Sequence, residues 1–242
     1  MKTKSILIAL LSLSILFTSC QKNDDVKPSS NVTTISKSID GYSQLNVSDP
    51  FKVYVTFSDS EESIEIEANA NLHQYIHVER QNDQLVIYIE DNVTIHSGKT
   101  VLNVYITTNR LDAFYGAGAA MIKLQNELIA TNVAVNLTGA SAFSGTLHID
   151  HLNANIEGAS NLYLEGNTRS FELEATGASN MTDYGFESNT LKADLEGACN
   201  AYLTVRQQME VVARGASNVY YKGDGVIKSQ NLTGGSHIQK MD

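Results

Sequence analysis

The sequence predicts an all-β chain: a parallel β-helix, or β-solenoid, with coils of about 19 residues and a β-rich N-terminal cap. Three observations predict it. A short motif, Gly-Ala-Ser-Asn followed by an apolar residue, recurs through the second half of the chain. The residues before each copy alternate apolar and polar. The composition, with 16 Gly, 2 Pro and no Trp among 242 residues, and frequent Val, Ile, Thr, Tyr and Asn, favours strands joined by Gly-containing turns.

The motif opens at Gly118, Gly139, Gly158, Gly177, Gly197, Gly215 and Gly234, with successive spacings of 21, 19, 19, 20, 18 and 19 residues. Ahead of each glycine, every second residue is apolar, as in Val133/Val135/Leu137, Phe171/Leu173/Ala175 and Met209/Val211/Ala213. This is one strand per repeat with one buried face. A second short strand follows each motif, as in Leu162-Tyr163-Leu164. A repeat this short cannot supply a propeller blade of about 40 residues, and a period of two excludes helical repeats. One turn of a coil per repeat is the remaining economical solution, with equivalent strands stacked about 4.8 Å apart.

Each glycine is then expected at a tight corner in positive φ, with Ala and Ser small enough to stack there. Asn161, Asn180, Asn200 and Asn218 form a column whose amides can bond along the stack; ligand contact is the alternative use. Cys199 fills a Ser slot and is expected to be an inert corner residue. In the final repeat Lys228 and Gln230 stand in apolar slots, as expected of a terminal coil that caps an open edge.

Residues 32–110 lack the motif but carry candidate strands at 44–47, 51–57, 63–67, 84–90 and 101–107, with a helical turn near 71–76. They are expected to form the N-terminal β-rich part of one continuous body with the repeat solenoid of residues 111–242. Residues 1–19 read as a signal peptide. Lys2 and Lys4 precede the apolar stretch Ile6–Phe17, which is too short for a comfortable transmembrane helix. Thr18-Ser19-Cys20 resembles the lipobox of bacterial lipoproteins, with Phe17 where Leu is usual. That resemblance implies lipid attachment at Cys20 and a membrane anchor through the N-terminal lipid. Gln21-Lys22-Asn23-Asp24-Asp25 looks like the signal that exports some lipoproteins to the outer face of the outer membrane; a solvated acidic tether is the alternative. Residues 20–31 are expected to be a flexible tether.

Ser43–Val47, Phe51–Val55, Ile64–Ala68, Asn71-Leu72 and Leu85–Ile89, followed by the Gly-Ala-Ser-Asn repeats, resemble the auto-transporter adhesin head GIN domain family. The resemblance covers about residues 35–240. It implies a β-helix-like fold and supplies no catalytic residues.

The formal charge of −10 argues against a nucleic-acid partner. No nucleophile–base signature, phosphate loop or paired Cys-x-x-Cys is present. His73/His77 is a loose pair without a third ligand, and His148 and His151 flank Asp150, which reads as a solvated turn with a zinc site as the alternative. No metal site or cofactor is expected, with calcium the alternative. Two features remain as candidate sites. Glu174 and Asp194 occupy one outward slot in adjacent turns, where paired carboxylates bind a cation or perform acid–base work. Glu196 and Arg214 share another slot and read as a cross-rung ion pair. Tyr163, Tyr202 and Tyr220 recur two residues after the motif Asn and form an outward stripe. Two functions follow. One is a non-catalytic surface module for adhesion, glycan contact or envelope scaffolding, with a glycan or protein partner. The other is a polysaccharide lyase or hydrolase that uses the acidic ladder.

Overall fold

The computed structural model describes residues 24–96 and 98–242. Residues 1–19, read from sequence as a signal peptide, and Cys20 lie outside them. The N-terminal part contains β1 (Asp24–Val26), β2 (Val32–Lys37), β3 (Gln44–Val47), β4 (Lys52–Phe57) and β5 (Ser63–Asn69). A 3-10 turn (His73–Tyr75) leads to β6 (Ile76–Gln81), β7 (Gln84–Ile89), β8 (Val93–Ile95) and β9 (Leu102–Thr108). The coils follow as β10 (Ala113–Gly116), β11 (Met121–Leu124), β12 (Leu128–Leu137), β13 (Ala142–Ile156), β14 (Asn161–Gly177) and β15 (Asn180–Met181). The last are β16 (Phe186–Gly197), β17 (Asn200–Gly215), β18 (Asn218–Lys222), β19 (Val226–Leu232) and β20 (His237–Lys240).

The repeats form a parallel β-solenoid, one coil per motif. Two stacks of strands meet at the motif corner. In the stack before the corner, β3, β10 and the later halves of β12, β13, β14, β16 and β17 lie parallel and in register, ending at β19. In the stack after it, β4, β11, the first halves of β13 and β14, then β15, the first half of β17, β18 and β20 follow one another. The alternating apolar side chains point inward and are buried, with Phe51, Phe114, Phe143, Phe171 and Phe186 as the largest. No coil could bury this face alone; stacking on its neighbours does so.

The corner is built from the motif. Every motif glycine has positive φ, from 72° at Gly118 to 107° at Gly197. Stacking adds a second demand. A Cβ on Gly177 would lie 2.5 Å from the carbonyl oxygen of Gly158 one coil below. That carbonyl also accepts the N–H of Ala178 at 2.7 Å, and the same bond joins Ala159 to Gly139, Ala198 to Gly177 and Ala216 to Gly197. The motif Ser turns inward: Ser141, Ser160, Ser179 and Ser217 are fully buried. Each of the first three donates its hydroxyl to the carbonyl three residues back, at 2.8 to 3.0 Å. Ser179 Oγ also accepts the N–H of Ser160. Cys199 is buried in the same slot, its Sγ 3.4 Å from the Glu196 carbonyl, and burial pushes its thiol above the usual range. Outside the corner, Asn161, Asn180, Asn200 and Asn218 stand in register. Asn218 donates its side-chain amide to Asn200 and Asn200 to Asn180, both at 3.0 Å.

The N-terminal part continues both stacks with antiparallel strands. β7 lies parallel to β3 and carries β6 antiparallel on its far side. β9 lies parallel to β4 and carries β5 and then β2, both antiparallel. The first coil lacks the motif yet makes the same corner. Asp49, at φ 62°, stands where later coils place glycine, and its carboxylate accepts the N–H of Ile89. Aspartate tolerates this region better than most residues.

The stretch read from sequence as a flexible tether differs in its second half. β1 pairs with β8, the amide of Asn71 donates to the Lys27 carbonyl, and the amide of Asn69 donates to the Ser29 carbonyl. Local composition reads as a spacer because these bonds come from side chains some 40 residues away in sequence.

Replacing Gly177 with Val is expected to cost about 2–5 kcal/mol, because left-handed strain and overpacking add, whereas Asn200→Ala costs about 1 kcal/mol. Urea unfolding of the two variants checks the order. Cys199→Ser is expected to change stability by less than about 1.5 kcal/mol, since a hydroxyl there repeats the bonding of Ser160 and Ser179. The native thiol should resist alkylation until the protein is unfolded, which a timed iodoacetamide reaction with and without denaturant will show.

Candidate binding face

The outward positions of the coils form columns, because in-register stacking places one residue of each coil above the same residue of the last. The column containing Glu174 and Asp194 is in register on β14 and β16. The two carboxylates do not share a site. Arg214 reaches diagonally from the next strand and donates to Asp194 Oδ1 at 2.7 Å. Glu196 lies directly opposite Arg214 in the ladder, but the guanidinium turns to Asp194 instead. Residues two apart on a strand share a face, so the long Arg side chain can select between them.

The same pattern recurs elsewhere. Arg169 meets Asp150 at 2.7 Å, Arg206 donates Nε to Glu187 at 3.0 Å, and Lys192 pairs with Glu172. Each pair joins one coil to the next. The bond to Glu172 raises the Lys192 ammonium above the ordinary lysine range. All are at least two-fifths exposed, with the Arg214–Asp194 side chains at 43% and 46%, so each contributes little to stability on its own.

The histidines do not converge. His73 bonds the Thr33 carbonyl. His77 bonds Glu90 at 3.1 Å and stacks on Tyr88. His148 contacts Asn167, while His151 is exposed three residues later on the same strand, β13. No group of three metal-ligating side chains occurs among the described residues.

The tyrosine column divides into two kinds of site. Tyr202 and Tyr220 stack with centroids 4.8 Å apart and planes 16° from parallel. Tyr184 meets the edge of Tyr202 at 5.7 Å, and Lys222 covers Tyr184 at 5.0 Å. Tyr184 was not expected in this column. It arrives there because the coil from Gly177 to Gly197 has an extra residue between Met181 and Phe186. Tyr163 stands apart: its in-register neighbour is Ser144, and its side is 46% exposed.

Tyr163 lies in an open groove of about 790 Å³, with Lys123, Glu127, Ile129, Glu165 and Asp183 around it. Two coils of irregular length build its walls. Between Gly118 and Gly139 the chain carries Gln125-Asn126-Glu127, pinned when Asn126 both accepts from the Phe57 N–H and donates to the Phe57 carbonyl, each at 2.9 Å. Between Gly177 and Gly197 the extra residue puts Asp183 at φ 147°. The two regular coils between them supply the floor. The spacings of 21 and 20 were visible in the sequence, but which turn held the extra residues required the register.

The molecule is thus a capped parallel β-solenoid whose regular outer face is laced by ion pairs and interrupted by a walled groove at Tyr163. The chain belongs to the family described as "putative auto-transporter adhesin, head GIN domain", whose model matches residues 41–225. Among solved structures it is similar to "a putative adhesin" from Bacteroides fragilis NCTC 9343, with a TM-score of 0.84 and 21% identity, covering 89% of this chain and 100% of that one. "A putative adhesin" from Parabacteroides merdae ATCC 43184 gives 0.73 at 17% identity, covering 90% and 100%. A "putative lipid binding protein" from Parabacteroides distasonis ATCC 8503 gives 0.73 at 14% identity, covering 90% and 100%. At these identities the likeness is one of fold. The comparison with curated proteins returned no match.

Truncating Arg214 to Ala is expected to lower stability by less than about 1 kcal/mol, and 0.5 M salt should remove much of that difference. Urea midpoints of both proteins at low and high salt measure it.

Proposed function

We propose that this chain is a non-catalytic binding module of the cell surface, held to the outer membrane by lipid at Cys20 and facing the exterior. The observation that carries the non-catalytic reading is the state of the acidic ladder. A lyase or hydrolase on this scaffold needs carboxylates that converge on a bound chain. Here Asp194 is engaged by Arg214 and Glu172 by Lys192, so on the ladder face these two acids serve the joints between coils. Family membership supports a surface role in adhesion.

The N-terminal strand adds to this reading. β1 begins four residues after Cys20 and is held to β8. Four extended residues reach about 14 Å at most, so lipid at Cys20 would hold the capped end of the solenoid close to the bilayer. The repeat coils would then project their faces away from it. No helix of the described residues is long and apolar enough to cross a membrane.

Cys20→Ala is expected to abolish incorporation of labelled fatty acid and to release the protein from the membrane fraction. Retention of that variant in the outer membrane would end the lipoprotein reading. Binding of the full chain to polysaccharides and host matrix proteins, with calcium or chelator and with product analysis in the same wells, tests the rest. Binding without cleavage is expected, and chain cleavage would overturn the proposal.

A further inference from the structure

The groove around Tyr163 interrupts the repeat face, and its making is specific. Two coils with extra residues stand on either side of two regular coils. Three coil intervals separate the Lys123 rung from the Asp183 rung through Ser144 and Tyr163, a span of about 14 Å. The floor beside the ring is kept low by Ser144, the small outward residue that is the in-register neighbour of Tyr163.

The groups facing this space are of two kinds. Tyr163 presents a ring that no other ring stacks on among the described residues, unlike Tyr202, Tyr220 and Tyr184, whose faces or edges are taken. Lys123 and Glu165 line the groove and make no ion pair or side-chain hydrogen bond among the described residues, in contrast to the paired acids of the neighbouring face. Asp183 sits in a sparsely allowed backbone region, with one carboxylate oxygen accepting the Gly185 N–H and the other open. Backbone strain of this kind is held in place by its surroundings and gathers at ligand sites.

Resting on the binding-module reading above, we infer that this groove binds an uncharged oligosaccharide. One pyranose would lie with its C–H face on Tyr163, and its hydroxyls would bond Lys123, Glu165 and Asp183. The chemistry selects this class. An aromatic ring offers apolar area with little entropy to lose. Unpaired carboxylates accept hydroxyl protons in strong charge-assisted bonds. One cation against Glu127, Glu165 and Asp183 leaves the groove acidic, which disfavours sulfated and uronic-acid chains.

The test is an array of neutral, sulfated and uronic-acid oligosaccharides, with matrix proteins in the same format, probed with the full chain and with Tyr163→Ala, Tyr163→Phe and Tyr202→Ala. Matching thermal melts establish that each variant is folded, as expected for an exposed side chain. Neutral sugars should bind, Tyr163→Ala should weaken them about tenfold, and Tyr163→Phe and Tyr202→Ala should stay within about threefold. Preference for anionic sugars, or binding untouched by Tyr163→Ala, would overturn the inference. Capture of a matrix protein with no sugar bound would overturn it too, while leaving the binding-module reading intact. Silence toward both classes counts against both.

Discussion

The structure depends on one repeated contact: the carbonyl of each motif glycine from Gly118 to Gly197 accepts the N–H of the alanine in the next coil at 2.7 Å, and Gly215 accepts that of Gly235 in the same way. That contact sets the coil spacing at the corner and forbids a side chain on the glycine above. It also explains why the requirement for glycine is double. The positive φ alone would tolerate Asn or Asp at modest cost. A Cβ would also press 2.5 Å from the carbonyl below, as at Gly158 and Gly215, and no rotamer relieves a clash with backbone. The first coil supports this account. Asp49 takes the same conformation, and the later coils do not begin until Gly118 stacks on it, so no motif carbonyl lies beneath its side chain.

Around that contact the buried serines satisfy what the corner would leave unpaired. A tight turn buried against its neighbours exposes carbonyls with no strand partner, and each such group costs about 1–3 kcal/mol if left alone. The hydroxyls of Ser141, Ser160 and Ser179 return to the carbonyl three residues back. Size is thus only part of the reason for Ser in this slot. Cys199 keeps the size and most of the geometry with a weaker donor.

Much of this was legible in the sequence because the architecture repeats. Periodic glycines and period-two alternation fixed the coil, the buried face and the corner residue, and strands in the motif-free half fell close to where composition placed them. What the sequence concealed was pairing at a distance. The antiparallel cap, the hold of Asn69 and Asn71 on the segment after β1, and the diagonal choice of Arg214 all join residues that local pattern treats as independent. One signal was present and passed over. The ion pairs link residues 19 or 20 apart, as in Asp150 with Arg169 and Glu172 with Lys192, which is the coil length itself. Reading opposite charges at the repeat spacing finds them, with Glu172 and Lys192 directly opposite in the ladder. The tyrosine stripe is not a single feature: the coil between Tyr163 and Tyr202 has Thr182 in that slot, and the extra residue after it brings Tyr184 to the edge of Tyr202.

The positions of the irregularities follow from the same constraint. The motif corner cannot accept an added residue without losing its carbonyl contact on both sides. The opposite turn, after the second strand of each coil, has no such repeated bond, and the departures in length gather there. The cap between Phe57 and Ala113 leaves from this turn, Gln125-Asn126-Glu127 widen it, and Asp183 and Tyr184 rise from it. A solenoid built this way separates its tasks by geometry. One corner holds the coils in register, ion pairs lace the flanking face, and the permissive turn is free to carry chemistry. The groove at Tyr163 forms where two such departures bracket two regular coils. That placement sets Tyr163 and Glu165 of a regular coil between Lys123 and Asp183 of the irregular coils, apart from the ion pairs that lace the flanking face.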